Sequence, residues 1–373
     1  MKDEAIAQLR LRRQHLTGAP LPTPEAVVGW LGAVQAQEFA LAKWSVAQRC
    51  RGQVTSAHLD RALAEGRILR THAMRSTWHF VLPADLRWLL RLIGPRMRAR
   101  VTSYCARYGM NDAVFKKSQA LLREALSGGR QLVSSEVAEV FARGRVRAEG
   151  LKLRFLLLQA ELDLVVCSGA LRGKQQTVAL VDELVPSAPP MPEDQALSEL
   201  ARRYFSSHGP ATLKDFVWWS SLSAAQARRG LELLKEKGLR QLRGRDRTYW
   251  VHEGARRRAV SETPVRLLQP YDEYVIGYTE SRSVLAIAGR PAAPTALPTH
   301  SNTLIRDGQV LGYWRMVPSP KRALIHLHLA RPLDASARSE LEDELARYSG
   351  FLQLPVHLAT TNVGRPRAGV RSA

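Results

Sequence analysis

The chain has 373 residues, 45% hydrophobic and 24% charged, which suits several buried cores rather than a disordered or fibrous protein. No apolar run reaches the roughly 20 residues of a membrane helix, and the polar start MKDEAIAQLR lacks the apolar centre of a secretory signal. Against 34 Asp and Glu stand 55 Lys and Arg, a formal net charge of +21, and such an excess draws a protein to polyanions through counterion release.

Most of the excess is arginine, whose planar fork suits phosphate and stacks on bases. Nucleic acid is the expected partner; a coding bias toward arginine is the plain alternative. Cys50, Cys105 and Cys167 are scattered, with no CxxC or mixed Cys/His cluster. They argue against a disulfide framework and a structural zinc, and point to a reducing compartment.

In chain order, "TPEAVVGWLGAV" reads as a helix with Thr23 as N-cap and Pro24 at its first position. "TSAHLDRALAEG" follows as a second helix, capped by Thr55 or Ser56 and closed by Gly66. "RILRTHAMRSTWHFVLP" alternates and reads as a hairpin. Two long helices come next, "PADLRWLLRLIGPRMRARVTSYCARYG" and "DAVFKKSQALLREALSGG". A second round opens at "VSSEVAEVFARG", capped by Ser134 or Ser135, and continues through the helix "GLKLRFLLLQAEL" to the ribbon "LVVCSGALRGKQQTVALV".

The Pro-rich "VPSAPPMPEDQ" (185–195) reads as a linker. The third round is the clearest: the short helix "TLKDFVWWSSL", the amphipathic "SAAQARRGLELLKEKG" running from Ser223 to Gly238, and two strands around Gly244–Arg245–Asp246. A helix pair followed by a ribbon is the winged helix-turn-helix pattern. Beyond residue 263 strands dominate, including "VRLLQPYDEYVIGY" and a hairpin at Asp307–Gly308, with one helix, "DASARSELEDELARYSGFL", among them. A Pro-rich loop (289–298) and a basic, disordered tail "GRPRAGVRSA" complete the reading.

The expected fold is therefore α+β. Residues 1–110 form a first winged-helix domain, 111–187 a second and 193–262 a third, with 263–373 a small C-terminal β-barrel and basic tail.

No P-loop, GxGxxG, HExxH or GxSxG context is present. His326 and His328 of "HLHL" share a strand face, which reads as surface rather than metal site. The odd feature is "VQAQEFALAKW", where Gln35 and Gln37 interrupt an apolar stretch. On a helix, residues two apart face nearly opposite sides. For the two amides to act together, the backbone near Val34–Glu38 must leave helical geometry. Otherwise one amide faces solvent and the other packs or caps. Glu38 is the neighbouring carboxylate that could activate water, ranked below the glutamines.

"LGAVQAQEFALAKWSVAQR", "RTHAMRSTWHFVLPADLRWLL", "RYFSSHGPATLKDFVWWS", "LLQPYDEYVIGY" and "GQVLGYWR" together resemble the AlkZ-type DNA glycosylases. The blocks fall in order over most of the chain and are weakest across 110–190 and at the C-terminus. That family is first associated with self-resistance to DNA-alkylating antibiotics. The resemblance implies three tandem winged helices forming a concave basic surface, and a C-terminal β-barrel. It also implies a glutamine–aliphatic–glutamine catalytic motif, which falls on Gln35, Ala36 and Gln37; related members carry aspartate at the third position.

Two amides suit that chemistry. A guanine alkylated at N7 is already cationic and leaves without a general acid. An oxocarbenium-like sugar is then helped by an oriented oxygen dipole and a positioned water. The candidate catalytic residues are Gln35 and Gln37, with no metal and no cofactor.

For DNA binding the candidates are Lys43, Arg49, Arg51, Arg70, His72, Arg75, Trp78 and His79 near the motif. On the third round they are Arg228, Arg229, Arg243, Arg245 and Arg247. Trp78 in the core with a solvated cationic face is the plain alternative, as is a structural role for Trp218–Trp219 and for Asp272 and Glu273. The expected activity is a monofunctional glycosylase removing bulky or cross-linked N7-alkylguanine-type bases and leaving an abasic site. The expected partner is double-stranded DNA with alkylated bases, and the expected form a cytoplasmic, nucleoid-associated monomer without membrane contact. A non-catalytic winged-helix regulator is the alternative, and an RNA-binding module has no supporting signature.

Overall fold

The computed structural model describes residues 1–252, 264–286 and 301–364. The loop at 289–298 and the tail beyond Gly364 lie outside the described residues. Helix α1 (Asp3–Arg13) packs against the segments around Ser206–Pro210 and Tyr278–Ser281. Its Arg10 is fully buried, lies 3.7 Å from the centre of the Tyr278 ring, and donates to Pro210 O at 2.9 Å and Ser281 Oγ at 2.6 Å.

Thr23 caps α2 (Pro24–Leu31) by accepting from the Ala26 N–H, as its position ahead of Pro24 requires. The helix stops earlier than its apolar pattern suggests, because Gly32 takes a φ of +82° that an L side chain would resist. Val34–Gln35 is then free to form strand β1, followed by α3 (Phe39–Ala47), α4 (Ser56–Ala64), β2 (Leu69–His72) and β3 (Trp78–Val81). These strands make an antiparallel sheet in the order β1-β3-β2. The alternation of its residues buries both faces: Leu69 and Val81 join one core, Val34 and Phe80 another.

Helices α5 (Pro83–Cys105) and α6 (Asp112–Leu126) lead to β4 (Leu132–Val133), α7 (Ser134–Arg143), α8 (Leu151–Leu162), β5 (Val166–Arg172), β6 (Gln175–Leu180) and α9 (Val181–Leu184). Ser134 is the first helical residue of α7 rather than its cap. Glu136 reaches back to the Val133 N–H at 2.8 Å and does the capping.

The third round comprises α10 (Glu193–Ser207), α11 (Leu213–Ser220), α12 (Ala224–Glu232), β7 (Leu239–Arg243) and β8 (Thr248–His252). Thr212 with Asp215, and Ser223 with Gln226, form reciprocal capping boxes. Helix α12 ends at Glu232, and turns carry the chain on to Gly238. The helix–helix–ribbon order read from the sequence is thus present at three places.

Only Arg266–Leu268 of "VRLLQPYDEYVIGY" is extended, as β9. Pro270 lacks an N–H for a ladder, and Asp272 caps a short helix, α13 (Glu273–Ile276), through the Tyr274 N–H. Strands β10 (Thr303–Arg306), β11 (Gln309–Pro318) and β12 (Ala323–Leu329), helix α14 (Ala335–Leu352) and strand β13 (Val356–Val363) complete the fold. The Asp307–Gly308 turn has positive φ at both positions, 52° and 74°, as a two-residue hairpin of this hand demands.

The expected closed barrel is not formed among the described residues. They make an open five-stranded sheet in the order β13-β12-β11-β10-β9, with β13 and β9 as unjoined edges. Strand β13 runs parallel to β12 and is largely exposed, so the sheet has no partner across which to close. His326 meets Thr360 and His328 meets the Gly364 carbonyl. No group of three metal-ligating side chains occurs among the described residues, and none of their helices is long and apolar enough to cross a membrane.

The C-terminal sheet is tied to the first round by a fully buried ion pair. Arg49 on the turn after α3 donates to both Asp272 oxygens, at 2.9 and 2.7 Å, and to Ser45 and Gln14. Asp272→Asn is expected to cost about 3–5 kcal/mol in urea unfolding, because it strands a buried guanidinium. An Arg49→Met/Asp272→Leu double variant should recover most of that loss; equal loss in both would show that charge pairing is not what holds the two parts together.

Candidate active site

Leaving the helix at Gly32 puts the glutamine pair on a strand end and the bend after it. The two amides end in different surroundings. Gln35 is only 2% exposed, whereas Gln37 is exposed.

Gln35 is held at three points. Its N–H donates to Glu273 Oε1 at 3.0 Å, its carbonyl accepts from Gln269 Nε2 at 3.2 Å, and its side-chain oxygen accepts from Arg75 at 2.8 Å. The next carbonyl, of Ala36, accepts two bonds from the Arg70 guanidinium, at 3.2 and 3.1 Å.

Register sorts the hairpin residues by face. Gln35 lies opposite His79, and Thr71 opposite His79 on the other side; Arg70 lies opposite Phe80, and His72 opposite Trp78. Arg70, His72 and Trp78 therefore share one face, and Gln35 and His79 the other. On the first face Trp78 is packed by His72, with ring centres 3.8 Å apart, and by Arg70 at 4.2 Å. His72 donates from Nδ1 and from its N–H to Glu161 on α8, both at 2.7 Å. Burial pulls the Arg70 guanidinium down to about 10, still charged at neutral pH. This half-buried stack of cation, indole and imidazole is tied to α8 through Glu161.

On the second face His79 is fully buried. Nδ1 donates to the Thr77 carbonyl at 2.8 Å, which leaves Nε2 to accept from Arg75 at 3.4 Å. Burial, with the Arg75 charge beside it, presses the imidazole down to about 3, so it is neutral. Behind Gln35 lies Glu273, also fully buried. Burial alone would raise its carboxyl. The hydrogen bond from His208 and the charge of Arg75 outweigh that and hold it at about 2. His208 donates at 3.2 Å and the Trp219 indole at 2.8 Å, both to Oε2.

Several expected DNA contacts prove internal. Lys43 is 6% exposed and donates to Ser56 and to both Asp60 oxygens. Arg49 is sealed against Asp272, and His79 has no exposed surface. All three are corrections, with the same cause: each cation or ring has a complementary partner that only folding supplies. Arg51, Arg228, Arg243 and Arg245 are exposed. Arg229 is paired with Asp194, and Arg247 with Asp246. Trp219 is core, but its neighbour Trp218 is 42% exposed, with its N–H fixed on the Ile276 carbonyl at 3.2 Å and Arg75 6.0 Å from its ring. Sequence reasoning missed Glu273, Gln269 and Glu161. Two adjacent acids in the apolar, aromatic "QPYDEYVIGY" were the available signal.

A family model described as "DNA glycosylase AlkZ-like" matches residues 28–351. An "Interstrand DNA cross-link repair glycosylase" of Streptomyces sahachiroi is 27% identical over 366 residues, spanning 94% of this chain and 97% of that protein. The solved structure of Streptomyces sahachiroi DNA glycosylase AlkZ covers 96% of this chain and 100% of its own, with a TM-score of 0.72 and 22% identity, a likeness of fold. With its family match running through both the glutamine strand and the C-terminal sheet, the chain belongs to the AlkZ-like DNA glycosylases and is an enzyme acting on DNA.

Proposed function

We propose that the protein hydrolyses the N-glycosidic bond of bulky or cross-linked alkylated bases in duplex DNA, N7-alkylguanine adducts in particular, leaving an abasic site for base excision repair. The name of the Streptomyces relative, a cross-link repair glycosylase, supports the substrate class. The observation that carries the reading is the backbone at the glutamine pair, which leaves the helix before Val34 as joint action of the two amides requires, although Gln35 is packed and Gln37 is open to solvent.

In this reading Gln37 meets the deoxyribose, and Gln35 is the fixed member of the pair. One carboxamide oxygen stabilises developing positive charge on the sugar, and the second amide orients the water. Nothing in the pair has to gain or lose a proton. The leaving base brings its own charge, which removes the need for a general acid. The three helix–helix–ribbon rounds act as winged helices, with Arg51, Arg228, Arg243 and Arg245 as phosphate contacts. Arg70, His72 and Trp78 form a stiff edge beside the lesion.

The proposal is tested with a duplex carrying one N7-methylguanine, cut by alkali at any abasic site. Gln35→Ala and Gln37→Ala should each lower the single-turnover rate at least about 100-fold with binding retained, the scale of losing one oriented dipole. Full cleavage by both variants would remove the pair from the mechanism. The pH dependence is a separate check. Glu273, at about 2, stays ionised and His79, at about 3, stays neutral above about pH 5. The single-turnover rate should then be flat within about twofold between pH 5 and pH 7. A rise through a midpoint near 6 would mean that a histidine acts in the chemical step.

A further inference from the structure

We infer that Arg75 is a positioning residue of the glycosylase site, not a phosphate contact: it fixes which end of the Gln35 carboxamide faces the reaction. The inference rests on the glutamine reading above and goes beyond it.

Arg75 sits in the turn between β2 and β3 with φ of +58°, followed by Ser76 at +55°. Consecutive non-glycine residues in the left-handed region are uncommon and need outside support. The third round supplies it. The Arg75 N–H donates to Ser221 Oγ at 2.7 Å, and one terminal nitrogen donates to the Trp219 carbonyl at 2.7 Å. The other terminal nitrogen reaches Gln35 Oε1 at 2.8 Å and His79 Nε2 at 3.4 Å. Both forks of the guanidinium are thus committed to protein acceptors, which leaves poor geometry for a bidentate phosphate.

A guanidinium has donors and no acceptor, so it can meet only the oxygen of a carboxamide. The contact orients Gln35 with Oε1 against Arg75 and the amino group turned away from it. The anchors at the Gln35 N–H and carbonyl prevent the residue from rotating as a whole. Neutral His79 completes the support by accepting rather than donating. A bare guanidinium beside a sugar that is gaining oxocarbenium character would oppose the reaction. Glu273, whose charge acts on Arg75, offsets it across the Gln35 backbone.

The roles of the pair then differ. Gln35 presents N–H groups, suited to holding a water or a base carbonyl. Gln37, without this lock, is the one that supplies the oxygen. Arg75 acts on the chemistry only through Gln35.

The test uses the full-length protein, the N7-methylguanine duplex and the variants Arg75→Met, Arg75→Lys, Gln35→Ala and Arg75→Met/Gln35→Ala. For Arg75→Met the rate at saturating protein should fall at least about 30-fold. Its Kd should stay within about threefold, and the slope of log Kd against log salt should not change. A phosphate contact would instead lower that slope by about one and weaken binding with the saturating rate intact. The double variant should be no slower than Gln35→Ala alone, because one acts through the other. Additive losses would overturn the inference.

Should Arg75→Met fail to fold, Ser221→Ala removes one support of the same turn. It should lower the saturating rate several-fold at constant Kd, and an unchanged rate would count against the proposal. Full activity of Gln35→Ala would sink the glutamine mechanism itself. An inactive Gln35→Ala beside a fully active Arg75→Met would sink only the role given to Arg75.

Discussion

A carboxylate with no exposed surface sits where three parts of the chain meet. Glu273 gathers the Gln35 N–H, the His208 ring and the Trp219 indole. Taking an ion of this kind out of water costs several kcal/mol unless its lone pairs are filled, and here three donors fill them. The demand runs both ways. The carboxylate needs the strand that carries Gln35 to come within 3.0 Å, and that strand gains a fixed point next to the reactive pair. The glutamine strand, the α10–α11 corner and the C-terminal segment are thereby held in one geometry. The neighbouring Asp272, sealed onto Arg49, holds the same segment from the other side.

This arrangement keeps the charges buried around Gln35 in balance. Glu273 and Arg75 offset one another behind Gln35, His79 is kept uncharged by burial, and the exposed residues of the motif are Gln37 and its neighbour Glu38. Ordinary bases leave as anions and call for a proton donor; an alkylated cationic base does not. On the proposed mechanism a site that orients dipoles and donates no proton to the base is selective by omission, since it withholds what an undamaged nucleoside requires, while the attacking water gives up its own proton to solvent.

Local chemistry made much of the architecture readable. Thr23 ahead of Pro24, Ser223 ahead of Gln226 and the Asp307–Gly308 turn each act through the few atoms beside them, and each stands where its residue type dictates. The glutamine pair was visible as an anomaly, two amides in an apolar run. Its environment was not visible. Glu273 is 238 residues from Gln35, and nothing near it in sequence distinguishes a carboxylate aimed at a catalytic strand from one that merely belongs to the C-terminal sheet. The barrel expectation failed for a related reason. Alternation predicts strands, but closure depends on how two edges meet, and β13 enters parallel and exposed.

The arginine surplus gains a second meaning from the interior. Charge counting assigns the excess to the outside, where a polyanion would meet it, and Arg51, Arg228, Arg243 and Arg245 are indeed exposed. Yet Arg10, Arg49 and Arg75 spend their forks on carbonyls, hydroxyls, two side-chain amides and one carboxylate within the fold. Guanidinium is the one side chain able to satisfy several such acceptors at fixed angles while remaining weakly hydrated. A lysine at any of these places would offer a single, mobile point charge. On the proposed function the same residue type therefore supplies both the attraction to DNA and the internal bonding of the site. The two uses separate by whether an acceptor from a distant segment reaches the fork before a phosphate can.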